Sequence, residues 1–146
     1  MYITQESSGP AQTRVRVLLA DDHEDMIKRV KAVLEPEFEV VGSVRDGQTL
    51  VHSTEELRPD VLVVDISMPL LNGIEAVRRI MSSGCKAKVI FLTVHEDPDM
   101  VSLCMEAGAL GFVVKSSLAS DLIRAIRLAL VSRTFISPTV PWNGRA

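Results

Sequence analysis

Five side chains with the chemistry to bind or transfer a phosphoryl group stand at the ends of short apolar runs. They are Asp21, Asp22, Asp65, Thr93 and Lys115. Carboxylates hold divalent cations and act as nucleophiles, and a hydroxyl and an ammonium group can bind the oxygens of a phosphoryl group. If the fold brings the ends of these runs together, the sequence predicts a site for phosphoryl chemistry.

The apolar runs have the pattern of strands that are buried on both faces of a sheet. They are mostly continuous stretches of Val, Ile and Leu rather than an alternation of apolar and polar residues. Segments with apolar residues at helical spacing separate the runs. The predicted strands cover about 15–20 and 39–44 and end at Asp65, Thr93 and Lys115, and the predicted helices cover about 24–35 and 47–57, follow Asn72-Gly73, begin near Asp97-Pro98, and run from Ser116-Ser117 to about 132.

Five strand–helix units in succession predict an α/β fold with a parallel sheet and helices on both faces, because crossovers between parallel strands are right-handed. The carboxyl ends of parallel strands meet at one edge of the sheet, where open α/β sheets place their active sites. We therefore expect the five side chains to converge at that edge. Along the chain we expect a flexible leader over 1–13, a folded domain over 14–133, and a tail or the start of a linker over 134–146.

The composition favours one ordinary globular domain, with 146 residues, 47% hydrophobic residues and a net charge of −3. This mild acidity argues against broad binding of nucleic acid or membrane surfaces. Residues 1–14 lack the features of a signal peptide, and no apolar run approaches the roughly 20 residues that span a membrane. Cys85 and Cys104 form neither a CxxC pair nor a cluster with His, which favours a reducing compartment. We therefore expect a cytoplasmic protein without direct nucleic-acid or membrane binding.

A set of motifs, in order along the chain, carries a resemblance to a known family. The motifs are Asp21-Asp22, Asp65 with Met68-Pro69 and Asn72-Gly73, Thr93, and Gly111-Phe112-Val113-Val114-Lys115. Over about residues 14–133 the chain resembles the receiver domain of bacterial two-component response regulators. Asp21-Asp22-His23 and Lys115-Ser116 are most similar to the subfamily fused to LuxR-type DNA-binding domains. The resemblance implies a flavodoxin-like (βα)5 doubly wound sheet with the strand order 2-1-3-4-5.

The resemblance also implies a phosphoacceptor and a metal site. Asp65 would accept a phosphoryl group from a sensor histidine kinase. Asp22, Asp65 and the backbone carbonyl of Ser67 would hold Mg²⁺ or Mn²⁺, and Asp21 would contribute through a water molecule. A site with few carboxylates and a substrate phosphate is of the kind that magnesium prefers. Taken alone, Asp21 and Asp22 could equally be the cap of a helix.

The same resemblance implies how phosphorylation would be sensed. Lys115 and Thr93 would bind the phosphoryl oxygens, and Phe112 would change rotamer as Thr93 moves toward them. The alternative for Phe112 is a partly buried strand aromatic without a switching role. Val94 and His95 would border the site, Val94 by narrowing its access, whereas the alternative for His95 is an ordinary loop residue. The surface formed by helix four, strand five and helix five would then change conformation.

The function expected from these residues is a phosphorylation switch that catalyses only its own phosphorylation and dephosphorylation. It would control transcription through a DNA-binding domain that is absent from this chain. The chain itself would then be a receiver domain excised from a longer protein. A homodimer formed on phosphorylation would use helix five, around Arg124–Arg133. The basic residues there could also be no more than a solvated face.

Other functions are open alternatives. The chain could be a natural stand-alone receiver, or a pseudo-receiver that acts only through protein contacts, although intact Asp65 and Lys115 speak against the latter. A phosphatase of the haloacid dehalogenase type would need an Asp where Ser67 stands. A flavin carrier would need a Ser/Thr-rich phosphate loop in place of Asp21-Asp22, whose charges would repel a phosphate.

Overall fold

A six-stranded parallel sheet forms the centre of the molecule in the computed structural model, which describes residues 14–142. The strand order is β2-β1-β3-β4-β5-β6, and each neighbouring pair runs parallel. The bounds are β1 Arg16–Ala20, β2 Glu39–Val44, β3 Val61–Val64, β4 Lys88–Thr93, β5 Gly111–Val114 and β6 Phe135–Ile136. Because β1 lies between β2 and β3, the order reverses at β1, and such reversals place ligand sites at the carboxyl ends of the strands.

Five helices cover the two faces of the sheet. Their bounds are α1 Glu24–Leu34, α2 Gly47–Leu57, α3 Gly73–Ser82, α4 Pro98–Ala107 and α5 Leu118–Leu130. Residues of α2, α3 and α4 pack into the core on one face, and residues of α1 and α5 pack into the core on the other. The central strands β3 and β5 are buried along their whole length, which explains their unbroken apolar sequences.

The predicted fold class and strand order are confirmed, with three local differences. Helical spacing predicts that Met26, Val30, Val33 and Leu34 face inward on α1, but the structure buries Ile27 with Val30 and Leu34 and leaves Met26 and Val33 only partly buried. α5 begins at Leu118 after a 3₁₀ turn, and Ser117 makes no side-chain capping bond to it. The sixth strand was not predicted, because its sequence is only two residues long and is followed by prolines.

The C-terminal strap, residues 135–142, lies along the outer edge of β5. The backbone N–H of Phe135 donates to the carbonyl of Leu110 at 2.9 Å, and that of Ser137 donates to the carbonyl of Phe112 at 2.9 Å. Ile136 and Val140 are buried in the core on the side of α4, the same core that contains Phe112. The strap is therefore packed as part of the sheet and its core.

Two further expectations meet the structure only in part. The leader over 1–13 lies outside the described residues, and the division of the chain at 14–133 stays a prediction. Within residues 14–142, none of the helices combines the length and the apolar character needed to cross a membrane.

Candidate functional site

The carboxyl ends of β1 and β3 bring two buried carboxylates side by side. The N–H of Asp65 donates to the carbonyl of Ala20 at 2.8 Å, and the N–H of Asp21 donates to the carbonyl of Val44 at 3.0 Å. These backbone bonds continue the sheet for one residue past each strand. They hold Asp21 and Asp65 at the edge formed by the carboxyl ends of the strands. Asp21 and Asp65 are 5% and 4% exposed, so both are removed from bulk water.

Lys115 reaches both of these carboxylates from the end of β5. Its Nζ lies 2.8 Å from Oδ2 of Asp21 and 3.4 Å from Oδ2 of Asp65. Lys115 is itself buried, and it begins the 3₁₀ turn directly after β5. One ammonium group is therefore shared between two buried carboxylates, which leaves the centre negatively charged.

Burial raises the pKa of the Asp65 carboxyl above its ordinary range, and the neighbouring charge of Asp21 raises the pKa further. Lys115 and the N–H of Ser67 act in the opposite direction and favour the ionised form. Ionised Asp65 is thus only partly compensated by protein groups. An additional positive charge at this place would stabilise it.

A group of four side chains fits a divalent cation. Asp21, Asp22, His23 and Asp65 each offer one ligand atom, and these atoms lie within 4.8 Å of one another. Oδ2 of Asp21 and Oδ1 of Asp22 are buried and, within the described part of the chain, have no hydrogen-bond donor in good geometry. Oδ2 of Asp21 does lie close to Lys115, but as an ion pair without hydrogen-bond geometry. Buried carboxylate oxygens that accept no hydrogen bond are suited to a hard cation.

His23 was not predicted to belong to this group. Its Nδ1 lies 3.0 Å from Oδ1 of Asp22 and 3.3 Å from Oδ1 of Asp21, and its backbone N–H donates to Asp21 at 2.9 Å. The only signal in the sequence was its position directly after the two Asp residues. Its side chain is 70% exposed, so it stands at the rim of the group rather than inside it.

The loop after β3 is shaped by close backbone contacts. The N–H of Gly73 donates to the carbonyl of Ile66 at 2.8 Å, and a Cβ at residue 73 would lie 2.1 Å from the carbonyl oxygen of Asp65. No side chain fits there without moving Asp65. Asn72 caps α3 by accepting a hydrogen bond from the N–H of Glu75 at 2.9 Å. The Asn72-Gly73 motif therefore fixes the loop that follows Asp65.

Thr93 and Phe112 lie on neighbouring strands beside Lys115. Thr93 pairs with Val114 in the register of β4 and β5, and Phe112 pairs with Phe91. Both Thr93 and Phe112 are fully buried. The hydroxyl oxygen of Thr93 accepts a hydrogen bond from the N–H of His95 at 3.2 Å. The structure thus places Thr93 one strand away from Lys115, at the same edge of the sheet.

An open groove of about 740 Å³ runs alongside the carboxylates, between the loop after β3 and α4. Asp22, Ser67 and His95 line it, together with Met100 and Leu103 of α4. Nε2 of His95 lies 3.4 Å from Oγ of Ser67, which places the His95 ring beside the loop after β3. Val94 is 68% exposed and is not among the residues that line the groove. The chemical roles of all these residues stay predictions.

Comparisons with known proteins agree with this geometry. The family model of the response regulator receiver domain matches residues 17–127. The transcriptional regulatory protein DegU of Brevibacillus brevis is 35% identical over 134 residues, which are 90% of this chain and 57% of that protein. The chain thus spans under two thirds of the length of this curated relative.

Two solved structures show the same fold. The two-component response regulator of the LuxR family from Aurantimonas sp. SI85-9A1 has a TM-score of 0.82 and 32% identity, covering 88% of this chain and 93% of that one. The isolated receiver domain of RcsB from Salmonella enterica serovar Typhimurium, in the presence of phosphomimetic BeF₃⁻, has a TM-score of 0.80 and 26% identity, covering 88% and 96%.

Proposed function

Because the chain belongs to the response regulator receiver domain family, whose members are signalling switches rather than metabolic enzymes, we propose that Asp65 accepts a phosphoryl group. The observation that carries the proposal is the contact of Lys115 with the carboxylates of Asp21 and Asp65, at 2.8 and 3.4 Å. It joins two buried carboxylates and an ammonium group at one edge of the sheet.

The residues that would hold a Mg²⁺ or Mn²⁺ ion are Asp21, Asp22, Asp65 and the backbone carbonyl of Ser67. When bound, the cation supplies positive charge that neutralises Asp65 and the phosphoryl oxygens. The chain contributes orientation. The loop fixed by Gly73 holds Ser67 beside Asp65, and the N–H of Ser67 is 3.4 Å from Oδ1 of Asp65.

The proposed reaction is a balanced displacement at phosphorus. An oxygen of the Asp65 carboxylate forms a bond to phosphorus while the bond from phosphorus to the leaving group breaks. With acetyl phosphate as donor, acetate leaves with the electron pair of its P–O bond. With a phosphohistidine of a kinase whose other ring nitrogen carries a proton, the nitrogen released from phosphorus takes the electron pair of the P–N bond, and the imidazole leaves neutral. Most of the catalysis in such reactions is positioning and charge stabilisation.

Lys115 and Thr93 would bind the new phosphoryl oxygens. Lys115 already lies between two carboxylates, so it can move its charge toward the phosphoryl group over a short distance. Thr93 would donate its hydroxyl, which now accepts from the N–H of His95. Such a movement would open space beside Phe112, whose fully buried ring would respond by changing its rotamer. The surface formed by α4, β5 and α5 would thereby shift between two conformations.

The partners follow from the family. A sensor histidine kinase would donate the phosphoryl group to this chain in the cytoplasm, and the output would be control of transcription. The relative DegU is named a transcriptional regulatory protein, and it is longer than this chain. A DNA-binding domain outside these residues would supply the contact with DNA.

The test is labelling of the full chain by acetyl phosphate with and without Mg²⁺, followed by intact-mass spectrometry. We expect the wild type to gain one phosphoryl mass only with a divalent cation. Asp65→Asn should gain none, because the nucleophile is lost. Asp60→Asn is the matched control, since Asp60 stands exposed at the opposite end of the same strand and should leave labelling unchanged.

Two outcomes would refute the proposal. Equal labelling of wild type and Asp65→Asn would place the phosphoryl group elsewhere. No labelling of the wild type would favour a pseudo-receiver. Lys115→Ala should retain part of the labelling but lose the change around Phe112, because Lys115 links the phosphoryl group to β5.

A further inference from the structure

Ser137 joins the C-terminal strap to both β5 and α5 through hydrogen bonds of its backbone and side chain. Its N–H donates to the carbonyl of Phe112 at 2.9 Å, and its Oγ accepts from the N–H of Val114 at 3.1 Å. The same hydroxyl donates to Oδ2 of Asp121 at 2.8 Å. Ser137 is 0% exposed and Asp121 is 8% exposed, so these bonds are shielded from water. The bond from the N–H of Val114 to the hydroxyl of Ser137 continues the hydrogen bonding between β5 and the strap beyond the last backbone pair.

The hydroxyl of Ser137 is suited to this place because it donates and accepts at once. An ionised carboxylate only accepts, so Asp121 draws the hydroxyl hydrogen toward itself and leaves a lone pair for the N–H of Val114. Asp121 is held in turn by the hydroxyl of Ser120, which donates to its Oδ1 at 3.1 Å. Without the hydroxyl, the N–H of Val114 would be a buried donor that loses this acceptor, a costly arrangement.

The bonded backbone leads directly to the candidate site. Val114 is the last residue of β5, and the next residue is Lys115, whose Nζ contacts Asp21 and Asp65. The two backbone groups that Ser137 binds, the carbonyl of Phe112 and the N–H of Val114, both lie in the last three residues of β5. A shift of this backbone would move the base of the Lys115 side chain.

We propose that Ser137, oriented by Asp121, is a positioning residue that holds the backbone from which Lys115 reaches the phosphoacceptor. The strap, which the sequence placed in a tail or linker, is on this view part of the apparatus for phosphoryl transfer. The inference rests on the proposed function of Asp65 and Lys115. It adds a route by which the state of Lys115 reaches the chain beyond α5.

The strap carries its own reporter of this coupling. Trp142 is the one tryptophan of the sequence, and it is partly buried against the core that contains Phe112, Ile136 and Val140. Formation of a phosphoryl-like complex at Asp65 should therefore change the tryptophan fluorescence. BeF₃⁻ with Mg²⁺ is the probe for this measurement.

The experiment compares Ser137→Ala and Asp121→Asn with Thr54→Val in the full chain. Thr54 is the matched control, because it is buried, its hydroxyl donates to the carbonyl of Leu50 at 2.7 Å, and it lies in α2 away from the site. The readouts are the rate of phosphoryl gain from acetyl phosphate, the affinity for Mg²⁺, the exchange rate of the Val114 amide, and the fluorescence of Trp142 with BeF₃⁻ and Mg²⁺.

We expect Ser137→Ala to slow phosphoryl gain roughly tenfold, because small displacements of positioned groups are costly for transfer reactions. Its Mg²⁺ affinity should stay within about twofold of wild type, since the carboxylates lie on other strands. The Val114 amide should exchange faster, and the fluorescence change of Trp142 should shrink. Asp121→Asn should show the same pattern more weakly, and Thr54→Val should label at the wild-type rate.

The outcomes separate this inference from the proposed function. If the wild type is labelled and all three variants are labelled at the wild-type rate, Ser137 does not position Lys115. The role of Asp65 as phosphoacceptor would still stand. A parallel loss of Mg²⁺ affinity and labelling in Ser137→Ala would mean general loosening and would also overturn the inference. If Ser137→Ala does not fold, the comparison of Asp121→Asn with Thr54→Val decides. An unlabelled wild type would overturn both proposals.

Discussion

Asp65 and its neighbours concentrate negative charge in a space with little water. The ionised carboxylates of Asp21, Asp22 and Asp65 contribute three negative charges, and the ammonium group of Lys115 contributes one positive charge. The group therefore carries a net charge of −2, with His23 counted as neutral. Two carboxylates about 5 Å apart repel each other by roughly 3 kcal/mol at an effective dielectric constant of about 20, before screening. A cation would relieve this repulsion, and so would the loss of one carboxylate.

Replacement of Asp22 by Asn tests this balance. We expect Asp22→Asn to bind Mg²⁺ at least roughly tenfold more weakly, because a cation ligand loses its charge. Without metal the variant should melt at the same temperature as wild type or higher, because repulsion is reduced. Differential scanning fluorimetry with EDTA and with millimolar Mg²⁺ measures both effects.

Asp25→Asn is the control for this change, since Asp25 is an exposed carboxylate in the first turn of α1 and outside the group. It should respond to Mg²⁺ as the wild type does. A wild-type melting temperature that millimolar Mg²⁺ leaves unchanged would show that the site is assigned wrongly, because a ligand that binds only the folded state must stabilise it.

At the scale of residues, the sequence was informative where a side chain stands at the end of a buried strand. Asp21, Asp65 and Lys115 were expected to converge because parallel strands end at a common edge, and the structure brings them into contact. Ser137 could not be recognised in this way. Its partners lie 16 and 23 residues away, and a Ser before a Pro is equally typical of a turn.

At the scale of elements, an ion pair joins α5 to the turn before β2, on the face of the sheet that α1 and α5 cover. Nε of Arg127 donates to Oε2 of Glu37 at 2.8 Å, and a second nitrogen of the guanidinium contacts Oε1. The hydrogen bond and the charge of Arg127 lower the pKa of Glu37, and Glu37 raises the pKa of Arg127. The pair lies at the surface, so its effect on stability is small.

The titration of Glu37 gives a prediction with a definite sign. Its pKa is lowered in the folded state, so the stabilisation by the pair is present above the pKa of the unfolded chain and is lost as the pH falls through the folded value. We expect Arg127→Ala to return the pKa of Glu37 toward its ordinary range. Carboxyl chemical shifts followed by NMR between neutral and acidic pH measure this change.

Arg124→Ala serves as the comparison, because Arg124 lies on the same helix but stacks 5.7 Å from the ring centre of Phe135. Glu37 should titrate in this variant as in the wild type. An unchanged Glu37 titration in Arg127→Ala would instead show that the pair does not form in solution.

The elements themselves were largely predictable because their signals are local. Continuous apolar runs indicated the central strands, and Asn72, Asp97 and Pro98 marked the starts of α3 and α4. β6 was missed because its two residues carry no periodicity. Their pairing depends on the free edge of β5, which is a property of the assembled sheet.

At the scale of the whole molecule, α5 ends in an exposed apolar segment. Val131 is 66% exposed and Leu130 is 36% exposed, next to the basic residues of the helix. Exposed apolar groups bordered by charge are typical of surfaces that contact other proteins. We expect the chain to dimerise weakly at rest and more tightly on phosphorylation through α5 and its neighbours.

Sedimentation velocity with and without BeF₃⁻ and Mg²⁺ tests this expectation. The dimer dissociation constant should fall by roughly tenfold or more with the phosphoryl mimic. Val131→Asp should weaken the dimer, because it places a charge in the contact. Gln48→Asp adds the same charge at an exposed position of α2 and should leave the dimer dissociation constant unchanged. A tight dimer that does not respond to the mimic would contradict the prediction.

The two outer strands of the sheet have features that disfavour pairing with other chains. β6 is only two residues long and is followed by Pro138 and Pro141, which have no N–H to offer to an added strand. On the opposite edge, the register between β1 and β2 shifts by one residue at Val41. Short strands, prolines and bulges all prevent strands of other chains from extending a sheet. We expect these features to disfavour edge-to-edge polymerisation, so that reversible association would use the helices instead.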